Sequence, residues 1–282
     1  EIHLSSHFLQ KHGTKDSLVE WAKCQAMNRI NIYSHSLCKQ ELSQMLEDVI
    51  NIKPYLIQGH PTTLYALANY AKDNNVSATD SFKCFESTGE ALEPHKADLI
   101  REVFGCKVFN RYGSAEFGVV AHSHRGEKNM RLFQSLGHYE TCELGNGLQE
   151  FVVTGLRNQA MPLIRYKTGD IANIVTDSSG RPAIQGVVGR KHELVHIEDK
   201  VFPTHYFQDI IYKKPEVEEF QIVQKDKSMP LIIRLVTKSG SDNDQLKKYL
   251  KSHLGKNISF EFTDFSGLTY RGWREKFSYL VN

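Results

Sequence analysis

The feature that most limits the fold is an alternation between residues 54 and 116. Tyr55-Leu56-Ile57-Gln58-Gly59 is a short apolar run closed by glycine, and an amphipathic helix follows near 62–73 with Leu64, Leu67, Ala68 and Ala71 on one face. A strand at Phe82–Ser87 comes next, then a helix opening at Pro94 with Leu99, Ile100, Val103 and Phe104, then a strand at Lys107–Arg111. Strand–helix–strand–helix–strand at this spacing calls for crossover connections and a parallel sheet.

In such sheets ligands collect beyond the carboxyl ends of the strands. Each of these three strands ends in small or polar residues: Gly59-His60-Pro61-Thr62, Ser87-Thr88-Gly89-Glu90 and Asn110-Arg111-Tyr112-Gly113-Ser114-Ala115-Glu116. Glycine lets a ligand approach the backbone, while hydroxyls and amides suit phosphate oxygens. Strand-to-helix turns favour the same residues for capping, so one cluster alone decides nothing. Three facing one crevice point to a site.

The rest of the chain has a different texture. Residues 1–50 are polar and end in a helical stripe of Leu42, Met45, Leu46, Val49 and Ile50. After residue 120 short β segments are expected at Gln149–Thr154, Leu163–Tyr166 and Ile171–Val175. From about 192 the pattern alternates again: helices near 203–212 and 242–254, strands near 218–224, 230–237 and 258–263. This reads as a compact α+β domain, with Gly189-Arg190-Lys191 as the hinge before it.

Composition narrows the function classes. A net charge of +2 over 282 residues argues for neither nucleic acid nor an anionic membrane. The longest apolar run, Met229–Val236, is broken by Arg234 and is far short of a membrane span. Five widely spaced cysteines are odd in number and fit a reducing cytoplasm better than a disulfide framework.

Several motifs resemble those of the adenylate-forming (ANL) superfamily. Arg111-Tyr112-Gly113-Ser114-Ala115-Glu116 looks like its Tyr-Gly-x-Thr/Ser-x-Glu motif, and Arg165-Tyr166-Lys167-Thr168-Gly169-Asp170 matches its Tyr-x-Thr-Gly-Asp motif. Gly189-Arg190-Lys191-His192-Glu193-Leu194 is similar to its hinge segment, followed by Val201-Phe202-Pro203. Lys53-Pro54-Tyr55-Leu56-Ile57-Gln58-Gly59-His60-Pro61 and Met161-Pro162-Leu163-Ile164-Arg165-Tyr166 bring it nearest to the phenylacetate–CoA ligase branch and its capsule-biosynthesis CapK-type relatives. The likeness runs from about residue 45 to about 277, with the motifs in the family's order.

The resemblance implies an α/β adenylate-forming enzyme fold: a parallel α/β subdomain to about 120, a β-rich subdomain over 121–190, and a small mobile C-terminal α+β domain over 191–282. It implies ATP-dependent activation of a small-molecule carboxylate as an acyl-adenylate, then transfer to CoA or to another acceptor; a dimer is compatible with it. Tyr112 would stack on adenine, with Ser87, Thr88, Gly89 and Glu90 on the other side of the base. Ser114 would bond a phosphate or the substrate carboxylate, and Glu116 would hold Mg²⁺ against the ATP phosphates. Asp170 would accept both ribose hydroxyls, backed by Arg190. His60 and Gly113 would border the substrate, Arg111 would support the nucleotide, and Lys276 would reach the carboxylate and the α-phosphate.

Three departures from the family stand out. Its phosphate-cradling loop is expected upstream of residue 1, and Ser5-Ser6 and Gly13-Thr14-Lys15 are too sparse to replace it. A nucleotide-binding homologue without turnover is therefore the alternative to an enzyme. Glu275 stands where the family has glycine before the lysine, and Glu198-Asp199 where many members have glycine. His122, His124, His138 and Cys142 cluster, but Ser178-Ser179-Gly180-Arg181 lacks the cysteine pair of a structural zinc site, which argues against zinc.

Overall fold

The structure is a computed structural model that describes residues 2–4, 14–32, 37–124, 127, 129–145, 147–191, 194–197, 200–226, 230–255, 257–271 and 276–281. Ser5, Ser6, Gly13, His192, Glu193, Glu198, Asp199 and Glu275 lie outside these residues, as does the side chain of Lys276. In chain order the first elements are β1 (Ile2–Leu4), α1 (Thr14–Ala26), β2 (Ile30–Ile32), α2 (Lys39–Ile52), β3 (Leu56–Gly59) and α3 (Pro61–Asp73). Then come β4 (Cys84–Ser87), α4 (Pro94–Phe104), β5 (Lys107–Ser114), β6 (Gly118–Ser123) and β7 (Met130–Leu132). β8 (Gly137–Gly145), β9 (Leu148–Gly155), β10 (Tyr166–Thr176), β11 (Pro182–Arg190), β12 (Leu194–Ile197) and β13 (Lys200–Pro203) follow. The chain closes with α5 (Thr204–Ile211), β14 (Val217–Val223), β15 (Leu231–Thr237), α6 (Asn243–Leu254), β16 (Ile258–Thr263), β17 (Tyr270–Arg271), β18 (Lys276–Phe277) and β19 (Leu280–Val281).

Two units interleave along the chain. The first holds residues 1–136, 175–185 and 271–277, and the second holds 137–174, 186–270 and 278–282. In the first, β2-β1-β3-β4-β5 form the parallel sheet that the alternation requires. Each helix obeys local rules. Pro61 and Pro94 occupy the first turns of α3 and α4, where a missing N–H costs nothing. α4 ends at Gly105 (φ +64), whose N–H bonds back to the Arg101 carbonyl. The stripe Leu42, Met45, Leu46 and Val49 of α2 is buried, as expected. α3 packs between α2 and α4 and is buried nearly all round, through Leu64, Tyr65, Leu67, Ala68 and Ala71. Beneath the helices, Ile57, Phe85 and Val108 supply the buried face of the sheet.

β5 overturns one expectation. It runs through Ser114 instead of stopping at Arg111. It pairs in parallel with β4 as far as Asn110, then antiparallel with β6 from Arg111. The cluster Asn110–Glu116 is thus strand for most of its length, and Ala115–Phe117 form the turn into β6. β7 and the start of β11 extend the antiparallel part, with Ala183 opposite Arg131.

The second unit contains the antiparallel run β8-β9-β10, the β12–β13 hairpin, and a four-stranded sheet ordered β16-β15-β14-β19 with α5 and α6. Leu163–Ile164 is not strand: β10 starts only at Tyr166, because Arg165 takes a left-handed φ of +49 that breaks the extended run. Every residue of β14 is buried, so its polar side chains must find partners. Gln221 does so through its amide, which donates to the carbonyls of Thr269 (2.7 Å) and Ser278 (3.0 Å) and accepts from Thr269 N (2.8 Å). Gln224 likewise bonds both backbone groups of His196, tying the hairpin to this sheet.

Leu67 is wholly buried in α3. Leu67→Ala is expected to lower unfolding free energy by about 2–5 kcal/mol, read from urea melts, because the lost methyl contacts leave a cavity.

Candidate functional site

The first unit gathers most of the sequence-derived residues at the carboxyl ends of β3, β4 and β5. His60 is the N-cap position of α3 but offers no side-chain cap. That role falls to Glu90, from the loop after β4, whose Oε2 accepts from Thr62 N (3.4 Å), with His60 Nδ1 3.6 Å from Oε1. A carboxylate at a helix N-terminus gains from the unpaired amides there. Glu90 Oε1 also accepts from Phe277 N at 2.7 Å. Its carboxylate is therefore a structural tie, and only its backbone is left to line a base.

Ser87 closes β4 with no exposure, and its Oγ has no hydrogen-bond partner among the described residues. Thr88 N donates to the Gly59 carbonyl (3.0 Å), and Gly89 takes φ +85, a conformation that glycine adopts freely. Ser114 Oγ, near the end of β5, is a second buried hydroxyl without a partner among the described residues. Between the strands, Gly113 has no room for a side chain: a Cβ there would lie 2.5 Å from the Gly118 carbonyl oxygen. Tyr112 is half-buried opposite Ala121, and Glu116 is exposed in the turn. Lys276 stands in the short β18, which belongs to this unit.

One group at this end of the sheet went unread in the sequence. Gln58, Glu86, Arg111 and His122 project from one face of neighbouring strands β3 to β6, following the two-residue period and the observed register. Glu86 accepts from Arg111 Nη1 (3.0 Å), from His122 Nε2 (3.0 Å) and from the Gln58 amide. Arg111 Nη2 continues to Thr88 Oγ1 (3.2 Å). His122 Nδ1 meets the Ser123 carbonyl at 2.6 Å, so both ring nitrogens face acceptors and the imidazolium form satisfies both. The hydrogen bond that His122 donates to Glu86 raises the His122 pKa against the opposing effect of burial. The bond from His122, with help from Gln58 and Arg111, lowers that of Glu86. Arg111 is thus committed to Glu86 and Thr88. Period-2 placement of Gln58 and Glu86 was the available signal, but their register was not.

The second unit builds a separate pair. β10 bulges against β9 between Lys167 and Ile171, and the Thr-Gly-Asp motif lies in that bulge. Thr168 Oγ1 donates to the Phe151 carbonyl (2.8 Å) and accepts from Asp170 N (3.2 Å). Gly169 adopts φ +79, and its carbonyl accepts from Lys191 N (2.8 Å). Bulges re-aim side chains, and this one leaves Asp170 nearly buried with Oδ1 3.3 Å from Arg190 Nε. Arg190 itself is half exposed.

The comparisons bear on this geometry. No protein-family model matches the chain. It is 24% identical over 254 residues to Protein CapK of Staphylococcus aureus, covering 86% of this chain and 56% of that protein. The whole chain is similar in structure to a 2-hydroxyisobutyryl-CoA ligase solved with 2-HIB-AMP, with TM-score 0.73 at 17% identity and 65% of that chain covered. The chain has the adenylate-forming fold. Amide bond synthetase McbA from Marinactinospora thermotolerans shares that fold with TM-score 0.58 and 16% identity, over 92% of this chain and 58% of its own. An anthranilate CoA ligase solved with anthranoyl-AMP gives TM-score 0.58 and 14% identity, over 85% and 51%. The chain spans a little over half the length of CapK and under two thirds of the 2-hydroxyisobutyryl-CoA ligase.

Among the described residues no helix is long and apolar enough to cross a membrane, and no group of three or more His, Cys, Asp or Glu side chains is placed to hold a metal ion. Cys84, Cys106 and Cys142 are free thiols.

Two predictions follow the geometry. Gly113→Ala is expected to lower the melting temperature sharply, whereas Gly145→Ala, in open space, costs only the strain of its positive φ. The stability gained from His122 is fully present below its ordinary pKa of 6.5 and is lost as pH rises through the raised folded value. That from Glu86 is present above 4.5 and is lost as pH falls through the lowered value. Hence Glu86→Gln is expected to cost most between pH 4.5 and 6.5, and to move the His122 imidazole titration, followed by NMR, downward.

Proposed function

We propose that the protein activates a carboxylic acid with ATP, forming an acyl-adenylate and pyrophosphate, and then passes the acyl group to CoA or another nucleophile with release of AMP. The observation that carries this reading is the pair of buried hydroxyls, Ser87 Oγ and Ser114 Oγ, at the carboxyl ends of adjacent strands, neither with a hydrogen-bond partner among the described residues. Buried polar atoms without partners are rare, and a ligand that brings phosphate or ribose oxygens is one way to satisfy them. At the same end of the sheet Gly89 takes a positive φ, and Gly113 packs directly against the Gly118 backbone.

In this reading Ser114 bonds the α-phosphate or the substrate carboxylate, and the half-buried face of Tyr112 takes the adenine. The backbone of residues 87–90 borders the base. Asp170, nearly buried and steadied by Arg190, accepts from both ribose hydroxyls; a carboxylate with two acceptor oxygens suits a vicinal diol. His60 borders the acid. Lys276 brings a cation to the meeting of carboxylate and α-phosphate, where two anions must be forced together. Glu116, exposed in its turn, fits a Mg²⁺ ion that takes one protein carboxylate and leaves its other positions to water and phosphate oxygens. When bound, that ion neutralises charge developing on the phosphates. A small domain over 191–282 that turns about Gly189–Lys191 between the two half-reactions belongs to the same proposal.

The test is ATP–pyrophosphate exchange by the complete protein over a broad panel of acids. Acid-dependent exchange is expected, with Ser114→Ala lowering kcat/KM by about 10²-fold if its hydroxyl stabilises developing charge. Absence of exchange with every acid, under conditions where the protein is folded, would sink the catalytic reading.

A further inference from the structure

Lys96 is the most deeply buried basic side chain among the described residues, at 1% exposure, and the proposed reaction does not use it. It projects from α4 with its ammonium 3.3 Å from Glu93 Oε2, and Glu93 is itself 9% exposed. Two aromatic rings lie against the same ammonium: Tyr65 of α3, 5.7 Å to the ring centroid, and Phe277 of β18, 5.5 Å. Tyr65 also meets the edge of His95, which burial and Lys96 hold neutral at physiological pH by pushing its pKa down to about 4. A desolvated ammonium is expensive unless paired, and an aliphatic side chain would fill this space at less cost. What the lysine adds is an orienting attraction for ring faces.

Phe277 is held from a second direction. Its N–H donates to Glu90 Oε1 at 2.7 Å, a short bond to a charged acceptor, and its side chain is 8% exposed. Glu90 is fixed in turn by Thr62 N at the start of α3. The ring and the amide of one residue are therefore gripped by two charged groups from the β4–α4 region. The residue before it is Lys276.

We propose that Glu90 and Lys96 are positioning residues: they form a seat for Phe277 and thereby set the backbone of Lys276. The purpose of the seat rests on the adenylation reading, but its existence does not. Because Glu90 also closes the loop that begins at Ser87, the seat shares a residue with the stretch assigned to the base. Glu90 and Lys96 act through Phe277 and touch no reacting atom.

The test is hydrogen–deuterium exchange of peptides covering residues 276–281 in the full protein, together with ATP–pyrophosphate exchange. Three variants serve: Glu90→Gln, Phe277→Leu, and Lys96→Met combined with Glu93→Gln so that no lone charge is buried. In the parent protein the Phe277 amide is expected to be protected. Each variant is expected to speed its exchange by about tenfold or more through local opening, with little change in the core of α3. Phe277→Tyr, which keeps a ring face, is expected to retain protection where Phe277→Leu loses it. Pyrophosphate exchange should fall in the same order through kcat, with the KM for ATP held in the Phe277 and Lys96/Glu93 variants. An unprotected Phe277 amide in the parent, or protection unchanged in all three variants, overturns the seat. Protection lost as described with no acid-dependent exchange even in the parent upholds the seat and overturns the adenylation reading instead.

Discussion

The close approach of β5 and β6 at Gly113 is the constraint on which the first unit's site depends. β5 must leave its parallel pairing with β4 and enter an antiparallel pairing with β6 within a few residues. The register shifts between Tyr112 and Gly113, and the Gly118 backbone comes so near that no Cβ fits. That single steric fact delivers Ser114 with its hydroxyl buried, with Tyr112 two residues earlier on the strand and Glu116 in the turn beyond. A strand that ended at Arg111 would deliver none of them together.

Charge organises the neighbouring face. Glu86 is surrounded by Arg111, His122 and the Gln58 amide, and three donors from three strands offset the cost of its partial burial. Arg111 is thereby drawn towards Glu86 and Thr88. The arrangement crosslinks β3 to β6 at the height where the strands open into the loops, and under the proposed function it would keep the hydroxyls there fixed.

Much of the fold was legible because its signals are local. Proline at the first turn of α3 and α4, glycine after α4, and the apolar stripe of α2 each act within a few residues. The motifs kept their order, and the structure brings His60, Ser87–Glu90 and Arg111–Glu116 to one end of one sheet. What escaped was non-local. Gln58 meets Glu86 across 28 positions, His122 meets Glu86 across 36, and Phe277 meets Glu90 across 187. No periodicity in a single sequence encodes such partners. Two backbone features were hidden for another reason. Arg165 at positive φ and the bulge holding Asp170 break the alternation by which strands are recognised, so Leu163–Tyr166 was expected as one strand and the next only from Ile171.

The account turns on whether these residues hold an adenylate. AMP binding to the protein, measured by titration calorimetry in parallel with Asp170→Ala, tests that most directly. The account predicts one saturable site per chain that is lost in the variant, while the variant keeps the parent's melting profile. No AMP binding by the folded protein, or equal binding by parent and variant, would contradict it.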